Sequence, residues 1–565
     1  MKIERIFWPV VLALLAGMGA AMVSSALQES QTWDEATHLS AGYSYLRTGD
    51  YRLNPEHPPL GKILAALPLL PLQPDLDTAS DVWKRGDQVV FGANFLYRNR
   101  IPADTMLFRA RLVTVFFTLS LGLAISLWTR GRFGPAPALL ALFLYALDPN
   151  FLAHGHYVTN DVLLCLLAFL ACIGWDAYLR AWRVRDLLLT ALAVAAAMAS
   201  KFSAPFLLPV FLLLFAVRWW RQRGPVLRWL GRLALSMTVI FVVTVLVIAA
   251  SYWSETRRLT FDRSAFVPLT SRIDRGPFLN RMLRSAGKVL HLPAYSYLVG
   301  FEMASRHATG EHESYVLGRS YKQGVWYYFP VAFAVKTPTA VLFLLLLALA
   351  VGLPRLDWLV LIIPPGVYLL FSMCSHINIG LRHILPVYPF LFVLIAAALL
   401  RRRVGLFAKA LPFVLCAAVV VQAAETIRIA PHYLAFFNSL SGGPARGPRY
   451  LVDSNLDWGQ DLKNLKKWLD THGNPPLCMF YFGNASQEYY GVHGAQIPPT
   501  WDTRGRAAMN CVAAVSATLL EDVYVEPGRY QWLRELQPFD KVGYSIYLYD
   551  CRKKPASPTS GTNRQ

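Results

Sequence analysis

The sequence predicts an α-helical polytopic membrane protein, with about eleven transmembrane helices and a small α/β domain at its C-terminal end. Three observations predict it. The 565 residues are 55% hydrophobic, and the apolar residues come in blocks rather than in the short periodic runs of a soluble core. Arginines crowd the short loops between alternate blocks. The histidines, twelve in all, fall on the opposite side of the blocks from those arginines.

The first apolar block, 6–27, follows a Met-Lys-Ile-Glu-Arg start and has no clear small-residue cleavage site. It has about the ~20 residues that a bilayer requires, so it reads as a retained first span. Further spans are expected near 111–128, 135–149, 161–178, 186–200, 204–217, 233–252, 329–352, 356–372, 385–400 and 406–423. The loops on one side hold Arg130 and Arg132, then Arg183 and Arg185, then Arg218, Arg221, Arg223, Arg228 and Arg232, and finally Arg401, Arg402 and Arg403. The positive-inside rule places that side in the cytoplasm, with the N-terminus inside and the C-terminus outside. A formal charge of +20 would otherwise suggest a nucleic-acid partner. Because so many of the cations sit in these loops, they report orientation instead.

Two outer loops, about 29–109 and 253–328, belong to the transmembrane domain of residues 1–424. Residues 425–553 form the expected extracytoplasmic domain, with helical signal at 461–469 and strand-like runs at 477–482, 508–514 and 545–549. Residues 554–565, rich in Ser, Thr, Pro and Gly, read as a disordered tail. Of the seven cysteines, Cys165, Cys172, Cys374 and Cys416 lie in or beside spans. Cys478, Cys511 and Cys551 lie in the exported segment, where one disulfide can form, and no CxxC or zinc spacing is present.

The first outer loop carries the densest polar pattern, WDEATHLSAGYSYLRTGDYRLNPEHPPLGK. Asp34 and Glu35 are adjacent carboxylates at the end of a span, where desolvation must be offset by a partner or tolerated for a purpose. The structural alternative is equally open: Asp34 caps the following helix and Glu35 sits in its first turn. Asp34 and His38 share a helix face at four-residue spacing. Downstream, three prolines rigidify the run Asn54-Pro55-Glu56-His57-Pro58-Pro59-Leu60-Gly61-Lys62. That run suits either a phosphate-positioning loop or a plain helix entry.

An early DE followed by HPPLGK resembles the protein O-mannosyltransferases and their bacterial relatives in glycosyltransferase family 39, of the GT-C fold. The resemblance covers 33–70 closely. It continues more loosely through Arg109 to Arg111 and through ALDPNFLAHGHYVTNDVLL at 146–164. Aminoarabinose transferases acting on lipid A look like more distant cousins, with EKPP where this chain has Glu56-His57-Pro58-Pro59. The resemblance makes Asp34 the catalytic carboxylate that engages the acceptor and Glu35 its structural or acid-base neighbour. It assigns His57 and Lys62 to the carrier phosphate or to shaping its pocket. Glu56 matches the glutamate for which the EKPP relatives imply a metal contact, and a divalent metal there is the single cofactor raised.

Further substrate-binding candidates follow the same pattern. Asp148 ends a span of only about 13 residues, shorter than the ~20 that cross a bilayer, so it is expected below the surface. His154, His156, Asn160 and Asp161 fill the next short loop, where Asp161 either lines a cavity or caps the following helix. Lys201 lies between two spans, where it contacts phosphate or snorkels to the interface. Arg111 at the second span, Arg319 and Lys336 where the chain re-enters the membrane, and Arg382 with His383 in a later outer turn complete the set of groups suited to an anionic lipid headgroup. In the tail, Asp453 to Asn455 read as a helix start, with acceptor recognition by Asp457, Trp458 and Gln460 as the minority alternative.

What the resemblance implies is transfer of a sugar from a polyprenyl-phosphate carrier to a hydroxyl acceptor. The reaction runs on the outer face of the bacterial plasma membrane, by inverting displacement. Mannose on Ser or Thr of exported protein is the leading pair, with lipid or glycan acceptors close behind. A lipid-linked donor needs no nucleotide fold, and no GxGxxG fingerprint occurs. The rival classes are a flippase for lipid-linked sugars, for which internal symmetry would be expected but is not found, and a non-catalytic assembly protein.

Overall fold

The computed structural model describes residues 2–258, 295–310, 312–352, 358–401, 405–496 and 510–552. The expected tail 554–565, Arg402, Arg403 and much of the second outer loop lie outside the described residues. Each of the eleven expected apolar segments coincides with helix. Seven are long and apolar enough to cross a bilayer: Ile3–Gln28, Ala103–Phe133, Asp161–Ala181, Ala204–Gln222, Val226–Ser251, Leu381–Leu400 and Lys409–Ile429.

Tyr328–Lys336 and Thr339–Val351 form an eighth, bent by 108°. The bend falls where Thr337 and Pro338 are extended, because a proline ring cannot follow a helical residue without a clash. Val184–Met198, Pro135–Ala146 and Leu359–Met373 are shorter. Twelve residues in Pro135–Ala146 span about 18 Å, well under a ~30 Å hydrocarbon layer. By length and composition alone, the described residues hold seven helices able to cross, or eight if the bent pair is one span, and the other three expected spans coincide with these shorter helices.

Leu381–Leu400 runs through the centre of the bundle, with Ile384, Leu385, Ile395 and Leu399 fully enclosed. Val226–Ser251 lies at the edge and turns Leu235, Phe241 and Leu246 outward, as a helix facing lipid must. The bundle has two unlike ends. At one, Arg130 pairs with Glu4 at 2.7 Å and Arg232 lies 4.4 Å over Trp182. At the other, the C-terminal ends of Lys2–Gln28 and Val184–Met198 meet the N-terminal ends of Asp161–Ala181 and Leu381–Leu400, and the polar loops gather there.

The first outer loop folds over that second end as helices Glu35–Thr48 and Pro59–Ala66. Their backbones approach so closely at Gly42 that a Cβ there would collide with the Lys62 carbonyl. Residues 430–460 also lie on this end, in short 3-10 turns. The Asn438 amide donates to the carbonyls of Ala334 and Thr337 across the bend.

Beyond them the tail builds a mixed sheet from β3 (Leu477–Phe480), β4 (Ala495–Gln496), β5 (Val512–Ser516), β6 (Asp540–Val542) and β7 (Ile546–Asp550), in the order β4-β3-β5-β7-β6. A separate hairpin pairs β1 (Ser314–Val316) with β2 (Arg319–Tyr321). Strand alternation sends Leu477 and Met479 to one face, where they meet Leu462, Leu465 and Leu469 of helix Leu462–Thr471. Cys478 and Phe480 face the bundle side. Cys478 and Cys511 form a disulfide with Cα atoms 5.9 Å apart, and Cys551 is free.

Candidate active site

The adjacent carboxylates Asp34 and Glu35 point to different places and meet different arginines. Glu35 is fully buried. Arg111, from helix Ala103–Phe133, grips it with two bonds, Nε to Oε1 at 2.8 Å and Nη2 to Oε2 at 2.6 Å. The Thr32 and Val158 amides donate to the same carboxylate, and Arg111 also donates to the carbonyls of Ala26, Glu29 and Ser30. Burial alone would raise the Glu35 carboxyl, but the Arg111 charge and these bonds hold it below the usual range. Glu35 is thus the knot that ties three chain segments together, and it has no free face for acid-base work.

Asp34 stands at the N-cap position of Glu35–Thr48 but makes no capping bond with its side chain. Its Oδ2 instead accepts from Arg382 Nη1 at 3.0 Å. The same nitrogen lies 3.6 Å from Asp161 Oδ2, while Lys201 pairs with Asp161 Oδ1. Four side chains from four segments therefore alternate in sign: Asp34, Arg382, Asp161, Lys201. Asp34 is the open member, with 24% of its side chain exposed against 2% for Asp161.

The indole of Trp458, fully buried, lies 4.3 Å under the Arg382 guanidinium, and the Leu381 amide donates to Asn455 at the same turn. Arg382 Nε and His383 Nε2 are buried without a protein partner. His38 and His57 pack edge to face, with ring centroids 5.0 Å apart. Burial pushes His38 down to about 4, against the opposing pull of Asp34. Burial and the neighbouring His38 and Lys62 lower His57 as well. Both rings are neutral at pH 7 and add hydrogen-bonding capacity without charge.

The other expected site residues are not brought into this cluster. Lys62 Nζ is spent inside its own loop, on the Tyr45 hydroxyl, the Asn54 carbonyl and side chain, and the His57 carbonyl. Burial lowers its ammonium to about 7. His156 uses both ring nitrogens, on Leu152 O and on Glu29 Oε2, each at 2.8 Å. Asp148 caps Pro149–His154 through the Asn150 and Phe151 amides. Lys336 donates to the carbonyls of Leu434 and Asn455. Arg319 is exposed on the hairpin. For Lys62, His156 and Lys336 the reason is common: a buried polar group without a partner is expensive, and these are satisfied by the protein itself. Asp148 uses Oδ1 on its cap and keeps Oδ2 buried without a partner.

Asp457 and Gln460 are likewise turned inward, on the Thr518 amide and the Trp458 amide. Glu56 accepts from Gln88 at 2.5 Å, and its other oxygen is buried and unpartnered. Among the described residues no group of three His, Cys, Asp or Glu side chains could hold a metal ion. The described neighbours of Glu56 supply no such group, and no step below uses a metal ion. A cavity of about 10 Å³ between His38, Gly61, Thr114 and Asn160 is too small for a sugar ring.

Fold and site together define an integral membrane protein whose ionisable centre is assembled from loop and helix ends at one face of a helical bundle. Residues 103–252 match the family model described as dolichyl-phosphate-mannose-protein mannosyltransferase. That stretch contains Arg109 to Arg111 and 146–164, where the looser part of the resemblance lies, and does not include 33–70. Among solved structures, ArnT from Cupriavidus metallidurans bound to undecaprenyl phosphate is similar at 14% identity, over 95% of this chain and 97% of that one, with a TM-score of 0.46. Its apo form is similar at 15% identity, over 97% and 99%, with the same TM-score. No curated protein matches.

Proposed function

We propose that this chain is a membrane glycosyltransferase that moves a sugar, mannose or another hexose, from a polyprenyl-phosphate carrier to a hydroxyl of a protein, lipid or glycan. The observation that carries the reading is the solvent-reachable Asp34 carboxylate set against the buried cations Arg382 and Lys201. One group takes a proton, and the others hold an anion. The family match over 103–252 supplies the substrate class.

In this reading Asp34 accepts the proton of the acceptor hydroxyl as the acceptor oxygen bonds to the anomeric carbon. The bond from that carbon to the phosphate oxygen breaks, and its electron pair stays on the departing polyprenyl phosphate. Arg382 and Lys201 stabilise the charge that develops there. A single displacement inverts the anomeric centre.

The disulfide in the tail and the arginines at the far end both favour an extracytoplasmic active face in a bacterial plasma membrane, with the N-terminus in the cytoplasm. The test is incubation of the purified chain with several labelled polyprenyl-phosphate sugars and a membrane extract. Label is expected in a protein, lipid or glycan fraction from one carrier sugar in preference to the others. Label in none of them, with carrier moved between leaflets of proteoliposomes, would make the chain a flippase.

A further inference from the structure

Resting on that reading, we infer that Asp34 and the carrier phosphate compete for Arg382, so that donor binding itself frees the base. In the structure Arg382 Nη1 is shared by two carboxylates, 3.0 Å from Asp34 and 3.6 Å from Asp161. The guanidinium has five N–H donors in a planar fork that matches phosphate. Here it leaves Nε buried and unpartnered. Trp458 below and the Leu381–Asn455 bond hold the arginine on its turn, so it can change partners without leaving the site.

Charge bookkeeping gives the exchange its direction. Two cations, Arg382 and Lys201, face two carboxylates, Asp34 and Asp161. His38 and His57 are neutral at pH 7, and Lys62 is tied to four oxygens of its own neighbourhood. A phosphodiester entering the site brings one negative charge and, among the described residues of the cluster, meets only cations already paired. Lys201 is held by buried Asp161, so Arg382, which is shared between two carboxylates, is the cation it draws away from one of them. Asp161 is buried and also holds Lys201, whereas Asp34 reaches solvent and can be rehydrated when it lets go. Asp34 is therefore the partner that yields.

Released from the guanidinium, Asp34 becomes the better proton acceptor. When it takes the acceptor proton it loses its charge as the leaving phosphate gains one, so the net charge of the site does not change during transfer. The consequence is a binding order, donor first, and a site that stays inactive toward hydroxyls until the donor is seated.

The test is binding of undecaprenyl phosphate to the detergent-solubilised full chain in a double-mutant cycle. Asp34→Asn and Asp34→Ala are each expected to tighten binding, by about tenfold, the worth of one charge-assisted bond no longer competed for. Arg382→Ala is expected to weaken it, and Asp34→Asn in that background to give no gain. Unchanged affinity in both Asp34 variants overturns the inference. So does a gain that persists without Arg382, since that would be plain charge removal. The same Asp34→Asn sample, assayed for transfer, separates the two ideas. Tighter binding with wild-type transfer removes the base and keeps the competition, and unchanged binding with lost transfer does the reverse.

Discussion

Two acid–arginine pairs one residue apart, Glu35 with Arg111 and Asp34 with Arg382, show how this chain separates structure from chemistry. Glu35–Arg111 is bidentate, closed to solvent and completed by backbone donors and acceptors on every side. Asp34–Arg382 is a single bond at 3.0 Å, with an open carboxylate and an unfinished guanidinium. The first pair holds the loop against the bundle. The second is the one that the proposed donor exchange takes apart.

The largest effect that could break this contrast is on stability. Arg111→Ala leaves a buried carboxylate without its counter-charge, and a loss of about 3–5 kcal/mol is expected, read as a collapse of the melting transition in detergent. Arg382→Ala should cost clearly less, because Asp34 turns to water and Asp161 keeps Lys201. Equal losses would mean that both pairs are structural.

Next in size is Lys62→Met, which strands the oxygens now held by Nζ. A loss of about 1–3 kcal/mol is expected, with faster amide exchange across 49–62. Weakened carrier binding with unchanged exchange would return Lys62 to the phosphate.

A smaller effect lies in the tail, where burial raises Asp457 to about 7. Between about pH 4, the unfolded value, and 7 the folded chain binds more protons than the unfolded chain, so this residue costs stability as pH rises and the full cost is present at pH 8. Asp457→Asn, which can keep the Thr518 bond, should therefore melt higher than wild type at pH 8. The gain should be on the order of 1 kcal/mol, and the gap should shrink as pH falls and close at about pH 4. A gap that does not change with pH would show that the carboxyl does not titrate in this window. The smallest effect is expected at exposed Arg319. Arg319→Ala should change stability by less than about 0.5 kcal/mol and leave donor KM unaltered.

The sequence was legible where physics is local. Apolar blocks gave the helices, and strand-like runs placed β3, β5 and β7 within about four residues, whereas the short β4 and β6 had no counterpart among those runs. Helix Leu462–Thr471 was visible from Leu462, Leu465 and Trp468. Asp34, Asp161, Lys201 and Arg382 were each singled out as charges at span ends, yet nothing in sequence spacing could show that they form one alternating row.

Lys62, His156 and Lys336 all meet oxygens of the protein, which sequence could not foretell, for one physical reason. A polar residue near a membrane needs a partner, and sequence cannot say whether that partner is a ligand or a carbonyl of the chain. Trp458 was read on its own segment, 76 positions from Arg382. Its role under the guanidinium exists only after the tail folds back. Glu29, the partner of His156, carried no sequence signal beyond being an acid at the end of a span.

The central claim is that the open carboxylate does the chemistry while the closed one holds the fold. It is tested most directly by the rate of sugar transfer from a labelled polyprenyl-phosphate donor in folded Asp34→Asn. A rate roughly 10²- to 10⁴-fold below wild type, with the melting temperature unchanged, is expected. A rate within about threefold of wild type would contradict it, because a positioned base contributes more than that.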